Sequence, residues 1–257
     1  PGISAKKPTI QVDFDRMALG RFHDIDVPLW GEISATVGLL SGQLAATNRP
    51  GVREDIAARW GRWNAEKQKR ATLVDEQGRM HPARLFATLS SLVPDDAVLA
   101  VDVGNNTYAF GHYFVSGGDQ DLLMSGYLGS IGFALPAALG AWAAVGGSRK
   151  VVSISGDGGL GQYLADFTTA VKYGMNLTHI VLNNNELAKI SREQVGALRP
   201  IWQTSLVNPD FAAYADLCGG RGFRVTEASQ LEDALRTALA VEGIPSLVEV
   251  STAGRWV

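Results

Sequence analysis

The sequence is poor in several features that would place it in a specialised class of protein. Cys218 is the single cysteine among 257 residues. An internal disulfide or a cysteine-based metal cluster is therefore excluded, and a reducing, cytoplasmic setting is favoured over secretion. No apolar run reaches the roughly 18 residues that a membrane-spanning helix needs. The formal net charge is only −3, so the chain lacks the positive field that attracts nucleic acid, and a DNA or RNA partner is not expected.

What is present is the composition of an ordinary globular protein. Hydrophobic residues make up 46% of the chain, charged residues 19% and aromatic residues 8%, which excludes disorder, collagen and coiled coil. The length is sufficient for one or two domains. The chain begins with Pro1 and has neither an initiator Met nor the start of a signal peptide, so we expect that translation began upstream.

The organisation changes twice along the chain. Residues 9–13 alternate and predict a strand, and residues 33–44 predict a helix. Because one strand and one helix cannot bury a core alone, we predict residues 1–48 to be the tail of a larger domain. Residues 49–80 contain a basic run and a tryptophan pair and are typical of an exposed linker helix, whose charges face solvent.

From residue 81 to residue 257 short apolar strands alternate with helical segments. The predicted strands cover residues 98–101, 151–155, 178–182, 223–225 and 247–250. The predicted helices cover residues 82–92, 131–145, 162–172, 210–217 and 231–241. This alternation predicts an α/β fold with a doubly wound parallel sheet flanked by helices.

Polar and glycine residues follow three of these strands. Asp102 to Asn106 follow the first, Gly156 to Gly159 the second, and Asn183 to Glu186 the third. Ligands of open parallel sheets bind where the strands end and the chain turns into a helix. The three turns therefore predict one binding site at the carboxyl edge of the sheet.

The glycine turn after the second strand fits two kinds of ligand. Gly156 to Gly161 satisfy the G-x-G-x-x-G pattern of dinucleotide-binding folds. The acidic residue that would hold the ribose is absent, since the next strand ends in Asn183 and Asn184. Asp157 would place a carboxylate beside phosphates, which requires a cation between them. Asp157, the amide oxygen of Asn184 and a backbone carbonyl just after it form an oxygen set suited to Mg²⁺.

The run from Gly156-Asp157-Gly158 to Asn183-Asn184 resembles the GDG…NN motif of thiamine-diphosphate-dependent enzymes. The resemblance covers nearly the whole chain. Residues 102–105 are similar to the diphosphate-contacting loop of that family, and residues 129–137 to the segment around the aminopyrimidine ring. Residues 9–31 resemble the last strand and exit of the Rossmann-like central domain in the branch that contains acetolactate synthase, pyruvate oxidase and 2-oxoacid decarboxylases.

The resemblance implies thiamine diphosphate and Mg²⁺ as cofactors and a role for each residue of the site. Asp157 and Asn184 would bind Mg²⁺ through their side chains and Glu186 through its backbone carbonyl. Gly129 would accept a hydrogen bond from the 4′-amino group, and Ile131, where many relatives have Met, would be the apolar wedge that bends the cofactor. The residues implied in cofactor binding are Gly104, Asn105, Asn106, Gly129, Ile131, Gly156, Asp157, Gly158, Gly159 and Asn184.

No catalytic acid or base is expected in this chain. In the family a glutamate on a separate, upstream pyrimidine-binding domain activates the cofactor, and Glu32, Glu54 and Glu66 lie in the wrong context to replace it. The chain would thus be a diphosphate-binding C-terminal part, inactive alone, and active as a homodimer, as a homotetramer or with a pyrimidine-binding chain.

The resemblance favours pyruvate oxidase, with an acetolactate-synthase-type carboligase as the alternative. The substrate would be a small 2-oxoacid such as pyruvate, with Lys189 near it, and FAD would lie on the central domain beside Asp13 or Asp15. Two other classes stay open on the residues alone. One is an NAD(P)-dependent oxidoreductase, and the other is a non-catalytic module that keeps the fold.

Overall fold

Eight strands form two parallel sheets in the computed structural model, which describes residues 6–46 and 50–254. The first sheet pairs β1 (Ile10–Asp13) with β2 (Val27–Trp30). The second contains β3 (Val98–Val101), β4 (Asp121–Met124), β5 (Val151–Gly156), β6 (Thr178–Asn183), β7 (Arg221–Val225) and β8 (Ser246–Ser251).

Ten α-helices accompany these strands in the described part of the chain. They are α1 (Ile33–Gln43), α2 (Val52–Ala71), α3 (Pro82–Leu92), α4 (Asn105–Tyr113), α5 (Ala134–Val145), α6 (Asp157–Gln162), α7 (Phe167–Lys172), α8 (Ala188–Gly196), α9 (Phe211–Leu217) and α10 (Leu231–Leu239). Short 3-10 helices cover Arg16–Ala18, Leu164–Asp166 and Ala228–Gln230. Of the described helices, none combines the length and the apolar character that crossing a membrane requires.

The chain divides into two compact units, of which the first ends at Ala58 and the second begins at Arg59. In the first, Glu32 caps α1 by accepting a hydrogen bond from the backbone N–H of Ala35. None of its described residues is buried, and Phe14, Met17 and Trp30 are each at least 70% exposed. The described elements of this unit do not form a core of their own, as expected from one short sheet and one helix.

The second unit is an α/β fold with a doubly wound, fully parallel sheet in the strand order β4-β3-β5-β6-β8-β7. The fold class predicted from the sequence is confirmed. After β3 the chain moves to the edge strand β4, and after β5 it moves in the opposite direction to β6. The carboxyl ends of β3 and β5 therefore flank the point where the winding reverses, which is where ligands bind in such sheets.

Alternate residues of the strands pack on the two faces of this sheet. Leu99 and Val101 join the cluster formed with α3, α4 and α10, whereas Val98 and Ala100 join the cluster formed with α5, α7 and α9. Phe86 and Phe167, one in each cluster, are completely buried, and each stabilises the fold by roughly 1.5–3 kcal/mol relative to an exposed side chain. The core thus holds the strand ends in fixed positions.

Two predicted helices differ from the observed ones by more than the one or two residues by which helix ends commonly vary. The helix predicted over residues 131–145 begins at Ala134, because Gly132 has a φ of +88°, which is outside the helical region. The helix predicted over residues 162–172 is interrupted by the 3-10 helix Leu164–Asp166 before α7. Both differences lie in segments that approach the carboxyl edge of the sheet.

Candidate functional site

A cavity of about 430 Å³ lies at the carboxyl edge of the large sheet. All the site residues predicted from the sequence line it. They are Gly104, Asn105, Asn106, Gly129, Ile131, Gly156, Asp157, Gly158, Gly159, Asn184 and Glu186. The structure therefore brings together four loops that are separated along the chain.

The loop after β3 enters the cavity at the start of α4. Gly104 has a φ of +145°, and a Cβ there would lie 2.8 Å from Oδ1 of Asn106. Nδ2 of Asn106 donates a 2.8 Å hydrogen bond to the carbonyl of Asp102, which fixes the turn. Gly104, the N-cap residue of α4, makes no side-chain cap, so no capping side chain occupies the first N–H groups of this helix.

The loop after β5 contains a carboxylate that is almost completely buried. Asp157 is 3% exposed, and burial raises the pKa of its carboxyl group above the usual value. Oδ1 accepts a hydrogen bond from the N–H of Gly158 at 3.0 Å, and Oδ2 accepts one from Nδ2 of Asn208 at 2.8 Å. A buried carboxylate of this kind is costly unless a positive charge or hydrogen-bond donors compensate it.

The two glycines after Asp157 leave no room for side chains. A Cβ at Gly158 would lie 2.5 Å from Cδ2 of Leu187, and one at Gly159 would lie 2.1 Å from Oδ2 of Asp102. The backbone here packs directly against side chains of neighbouring loops, which the missing Cβ atoms allow.

The loop after β6 turns sharply at Asn185, which has a φ of +57°. Oδ1 of Asn184 accepts a hydrogen bond from the N–H of Glu186 at 2.9 Å. The carboxylate of Glu186 accepts a hydrogen bond from the hydroxyl of Ser191. Glu186 also lies opposite Ser205 in an isolated antiparallel bridge. The neighbours of Glu186 make its hydrogen bonds: Leu187 donates to Thr204, and Asn185 accepts from Leu206.

The fourth loop carries Gly129 and Ile131 and is held from behind by Asp102. Oδ1 of Asp102 accepts hydrogen bonds from the N–H groups of Gly132 at 2.8 Å and Phe133 at 3.1 Å. Ile131 reaches the glycine turn, since a Cβ at Gly158 would lie 3.8 Å from its Cδ1. Despite the hydrogen bonds that Asp102 accepts, burial raises its pKa to about 6.

Comparison with known proteins identifies the family to which this architecture belongs. Residues 102–250 match the family described as Thiamine pyrophosphate enzyme, C-terminal TPP binding domain. The chain belongs to the thiamine pyrophosphate enzyme family. Thiamine pyrophosphate and thiamine diphosphate are two names for the same cofactor, and the matched segment contains every cavity loop described above.

Relatives of known name support the same assignment. YdaP of Bacillus subtilis, whose name describes it as a thiamine pyrophosphate-containing protein, is 31% identical over 90% of this chain and 40% of its own length. The catabolic acetolactate synthase of Raoultella terrigena is 30% identical over 88% of this chain and 40% of its own length. An acetolactate synthase of Bacillus subtilis is 32% identical over 67% of this chain. The chain thus spans about two fifths of the length of the first two relatives.

In this thiamine pyrophosphate enzyme domain, sequence motifs do not indicate the roles of two residues that shape the cavity. Asp102 lies in the loop after β3, yet it anchors the Ile131 loop from outside the cavity lining. Asn208 belongs to none of the predicted site motifs, yet it donates to Asp157. The Asn208-Pro209-Asp210 run before α9 was the available signal, since such runs mark a rigid turn.

The oxygen atoms at the cavity fit a hard divalent cation. Within residues 6–46 and 50–254, no group of three or more His, Cys, Asp and Glu residues could hold a metal ion. The set at this edge is instead one carboxylate, from Asp157, with the amide of Asn184 and nearby backbone carbonyls. Mg²⁺ commonly binds one or two carboxylates and completes its shell with substrate phosphates and water, so this donor set suits such an ion.

Proposed function

We propose that the chain binds thiamine diphosphate together with Mg²⁺ and is the C-terminal part of a 2-oxoacid-decarboxylating enzyme. The observation that carries this proposal is the convergence of Asp157 and Asn184 at one cavity whose glycine turn excludes side chains. In the proposal, Asp157 and Asn184 hold Mg²⁺ through their side-chain oxygens, and Glu186 holds it through its backbone carbonyl.

The diphosphate is proposed to lie against the turns after β3 and β5. Neither α4 nor α6 has a side-chain cap at its N-cap glycine, so backbone N–H groups are available to phosphate oxygens. The N–H group of Gly159 and the side chains of Asn105 and Asn106 are further donors. The N–H of Gly158, which donates to Oδ1 of Asp157 in this structure, would be shared with a phosphate oxygen. Nδ2 of Asn106 already donates to the carbonyl of Asp102, and its second hydrogen remains for a phosphate oxygen.

The other end of the cofactor is proposed to lie on the loop that Asp102 anchors. The carbonyl of Gly129 would accept a hydrogen bond from the amino group of the pyrimidine ring, and Ile131 would press on the cofactor from one side. A large aliphatic side chain on a loop fixed by two backbone hydrogen bonds can impose a bent conformation sterically. When bound, thiamine diphosphate supplies the electron sink that decarboxylation of a 2-oxoacid requires.

Lys189 is proposed to face the 2-oxoacid. It lies in the first turn of α8 and is the one lysine or arginine among the cavity-lining residues. Its ammonium group pairs with Glu193 one turn later, and its side chain is 30% exposed. A cation at this position can attract the carboxylate of a substrate such as pyruvate.

The proposed domain organisation follows from the relatives' greater length. Residues 1–48 would be the tail of a central domain, residues 49–80 a linker, and residues 81–257 the diphosphate-binding domain. The glutamate that activates the cofactor would come from an upstream pyrimidine-binding domain, and FAD, if the enzyme uses it, would lie on the central domain. We propose a homodimer or homotetramer as the active form, and a cytoplasmic setting because the chain has a single cysteine.

The reaction has two candidates that differ in the fate of the decarboxylated substrate. The relatives named as acetolactate synthases favour transfer to a second 2-oxoacid. The segments around Asn208 and Cys218 resemble pyruvate oxidase and its acetolactate-synthase-like relatives, and on that resemblance we propose oxidation as the first candidate. Analysis of the products from pyruvate, with the upstream domains present, separates the two: acetolactate indicates the carboligase, whereas acetate with a reduced electron acceptor indicates the oxidase.

Calorimetric titration of the chain with thiamine diphosphate tests the proposed cofactor. We expect saturable binding in Mg²⁺, no binding in EDTA, and no binding of NAD under either condition. Binding of NAD without metal would contradict the proposal and support a dinucleotide-binding oxidoreductase. Binding of neither ligand in Mg²⁺ would favour a module that has kept the fold without the chemistry.

A further inference from the structure

The side chain of Asn208 contacts one proposed metal ligand, Asp157, and the two asparagines on either side of another, Asn184. Its Nδ2 atom is 2.8 Å from Oδ2 of Asp157, 3.0 Å from Oδ1 of Asn183 and 3.2 Å from Oδ1 of Asn185. An amide nitrogen carries two hydrogens, so these three acceptors share its donors. One side chain thus joins the loop after β5 to the loop after β6.

We propose that Asn208 is a positioning residue that holds the carboxylate of Asp157, and the loop that carries Asn184, in the arrangement that binds a divalent cation. The inference rests on the proposed function and adds a residue to which the family comparison gives no role. Asn208 itself does not line the cavity, so its effect passes through Asp157.

The contacts of Asp157 indicate that Asn208 orients its carboxylate. Among the described residues, Asn208 is the one side chain that donates a hydrogen bond to the Asp157 carboxylate. The N–H of the next residue, Gly158, donates to Oδ1 but moves with Asp157. The backbone of Asn184 and Asn185 also interacts with the carboxylate, and these two residues belong to the loop that Asn208 contacts from outside. Each carboxylate oxygen can accept two hydrogen bonds or ligands, so the bond from Asn208 is compatible with binding of a cation to the same group.

The backbone on both sides of Asn208 is fixed. On one side, the N–H of Leu206 donates to the carbonyl of Asn185 at 2.8 Å, and the N–H of Leu187 donates to the carbonyl of Thr204 at 2.7 Å. On the other side, Asp210 caps α9 by accepting a hydrogen bond from the N–H of Ala213 at 2.9 Å. Asn208 therefore presents its amide from a rigid support, as residues that orient metal ligands do.

Loss of this donor should weaken metal binding more than it weakens the fold. Groups that orient a metal ligand without touching the metal typically contribute 10- to 100-fold to metal affinity. Asn208 is only half-buried, so its removal leaves no large cavity. We expect about 10- to 100-fold weaker metal binding in Asn208→Ala, and the same in Asn208→Leu, which keeps the side-chain volume without the donor.

The control is an asparagine with comparable hydrogen bonds at the opposite end of the sheet. Asn176 lies two residues before β6, accepts a 2.8 Å hydrogen bond from Nε1 of Trp142 and donates a 2.6 Å hydrogen bond to Glu242. Asn176→Ala should lower the stability to urea without changing metal affinity. A purely structural role of Asn208 would give its variants that same pattern.

The experiment is a titration of the full chain with Mn²⁺ in the presence of thiamine diphosphate, with free Mn²⁺ measured by electron paramagnetic resonance. Urea unfolding of each variant is measured in parallel. We expect tight Mn²⁺ binding by the wild type and by Asn176→Ala, weaker binding by both Asn208 variants, and none by Asp157→Ala. If the Asn208 variants bind Mn²⁺ with wild-type affinity while Asp157→Ala loses it, the role of Asn208 is wrong and the proposed site stands. If the wild type fails to bind Mn²⁺, or Asp157→Ala binds it normally, both proposals are overturned.

Discussion

The carboxylate of Asp102 and the backbone of Gly159 are in such close contact that a methyl group on Gly159 would fall 2.1 Å from Oδ2 of Asp102. This contact joins the end of β3 to the glycine turn after β5. Position 159 therefore requires glycine because of packing within the protein, in addition to any need for space around a phosphate group.

Substitution of Gly159 should therefore disturb both fold and cofactor binding. In Gly159→Ala we expect a loss of about 1–3 kcal/mol in the free energy of unfolding, as is typical of overpacking, and weaker binding of thiamine diphosphate. Gly161 is the matched control, because it lies in α6 and a Cβ there meets nothing within 4 Å. Gly161→Ala should be neutral or stabilising by up to about 1 kcal/mol. Urea unfolding and calorimetry measure both effects, and equal behaviour of the two variants would contradict the packing argument.

Asp102 should also make stability depend on pH. Its pKa is raised to about 6 in the folded protein, against roughly 3.9 in an unfolded chain. The folded state therefore favours the protonated carboxyl group. The stabilising contribution is fully present below about pH 4 and is lost as pH rises through 6, by about 3 kcal/mol in total.

The Asp102→Asn variant isolates this effect. The unfolding free energy of the wild type, minus that of the variant, should fall between about pH 4 and pH 7 as the carboxyl group ionises. Urea unfolding of both proteins across this range provides the measurement. A difference that stays constant with pH would show that Asp102 ionises normally in the folded protein.

His179 should make stability depend on pH with the opposite sign, so that its contribution is lost on acidification. It is completely buried on β6 between two serines of β5, with Nδ1 2.5 Å from Oγ of Ser153 and Nε2 2.9 Å from Oγ of Ser155. Burial lowers its pKa to about 3, whereas an unfolded histidine has a pKa of roughly 6.5. The neutral ring therefore stabilises the fold above about pH 6.5, and this contribution is lost as pH falls toward 3.

A histidine NMR titration checks the state of His179 directly. We expect its ring resonances to show no titration between pH 7 and the onset of acid unfolding. The stability difference between the wild type and His179→Gln should decrease with acidification by about 1.4 kcal/mol per pH unit below pH 6.5. Titration of His179 near its ordinary pKa would contradict a buried, neutral ring.

The parts of the fold with buried, uniform strands could be predicted from the sequence. The boundaries of β3 and α3 agree with the predicted ranges to the residue, because a continuous apolar run and an amphipathic helix leave little ambiguity. Strand β4 was not predicted, because it is short, lies at the sheet edge and is largely exposed. The hydrogen bonds of β4 to β3 join segments that are about 20 residues apart in the sequence, and the local hydrophobic pattern does not reveal such a pairing.

The residues of the candidate site that belong to local sequence motifs could be predicted. Asp157 and Asn184 follow adjacent strands, so their convergence follows from parallel strands ending at one edge. Asp102 and Asn208 could not be assigned in this way, because they contact residues about 30 and 50 positions away in the sequence. The turn at Gly132, which moves the start of the predicted helix to Ala134, belongs to the same set of long-range contacts.

The central claim is that Asp157 and Asn184 bind the metal through which thiamine diphosphate is held. The most direct test is calorimetric titration of the wild type, Asp157→Ala, Asn184→Ala and the surface control Asp119→Ala with thiamine diphosphate at several Mg²⁺ concentrations. We predict Mg²⁺-dependent binding that survives in the Asp119 variant and is lost in the other two. Binding by Asp157→Ala and Asn184→Ala with the affinity and Mg²⁺ dependence of the wild type would contradict the account.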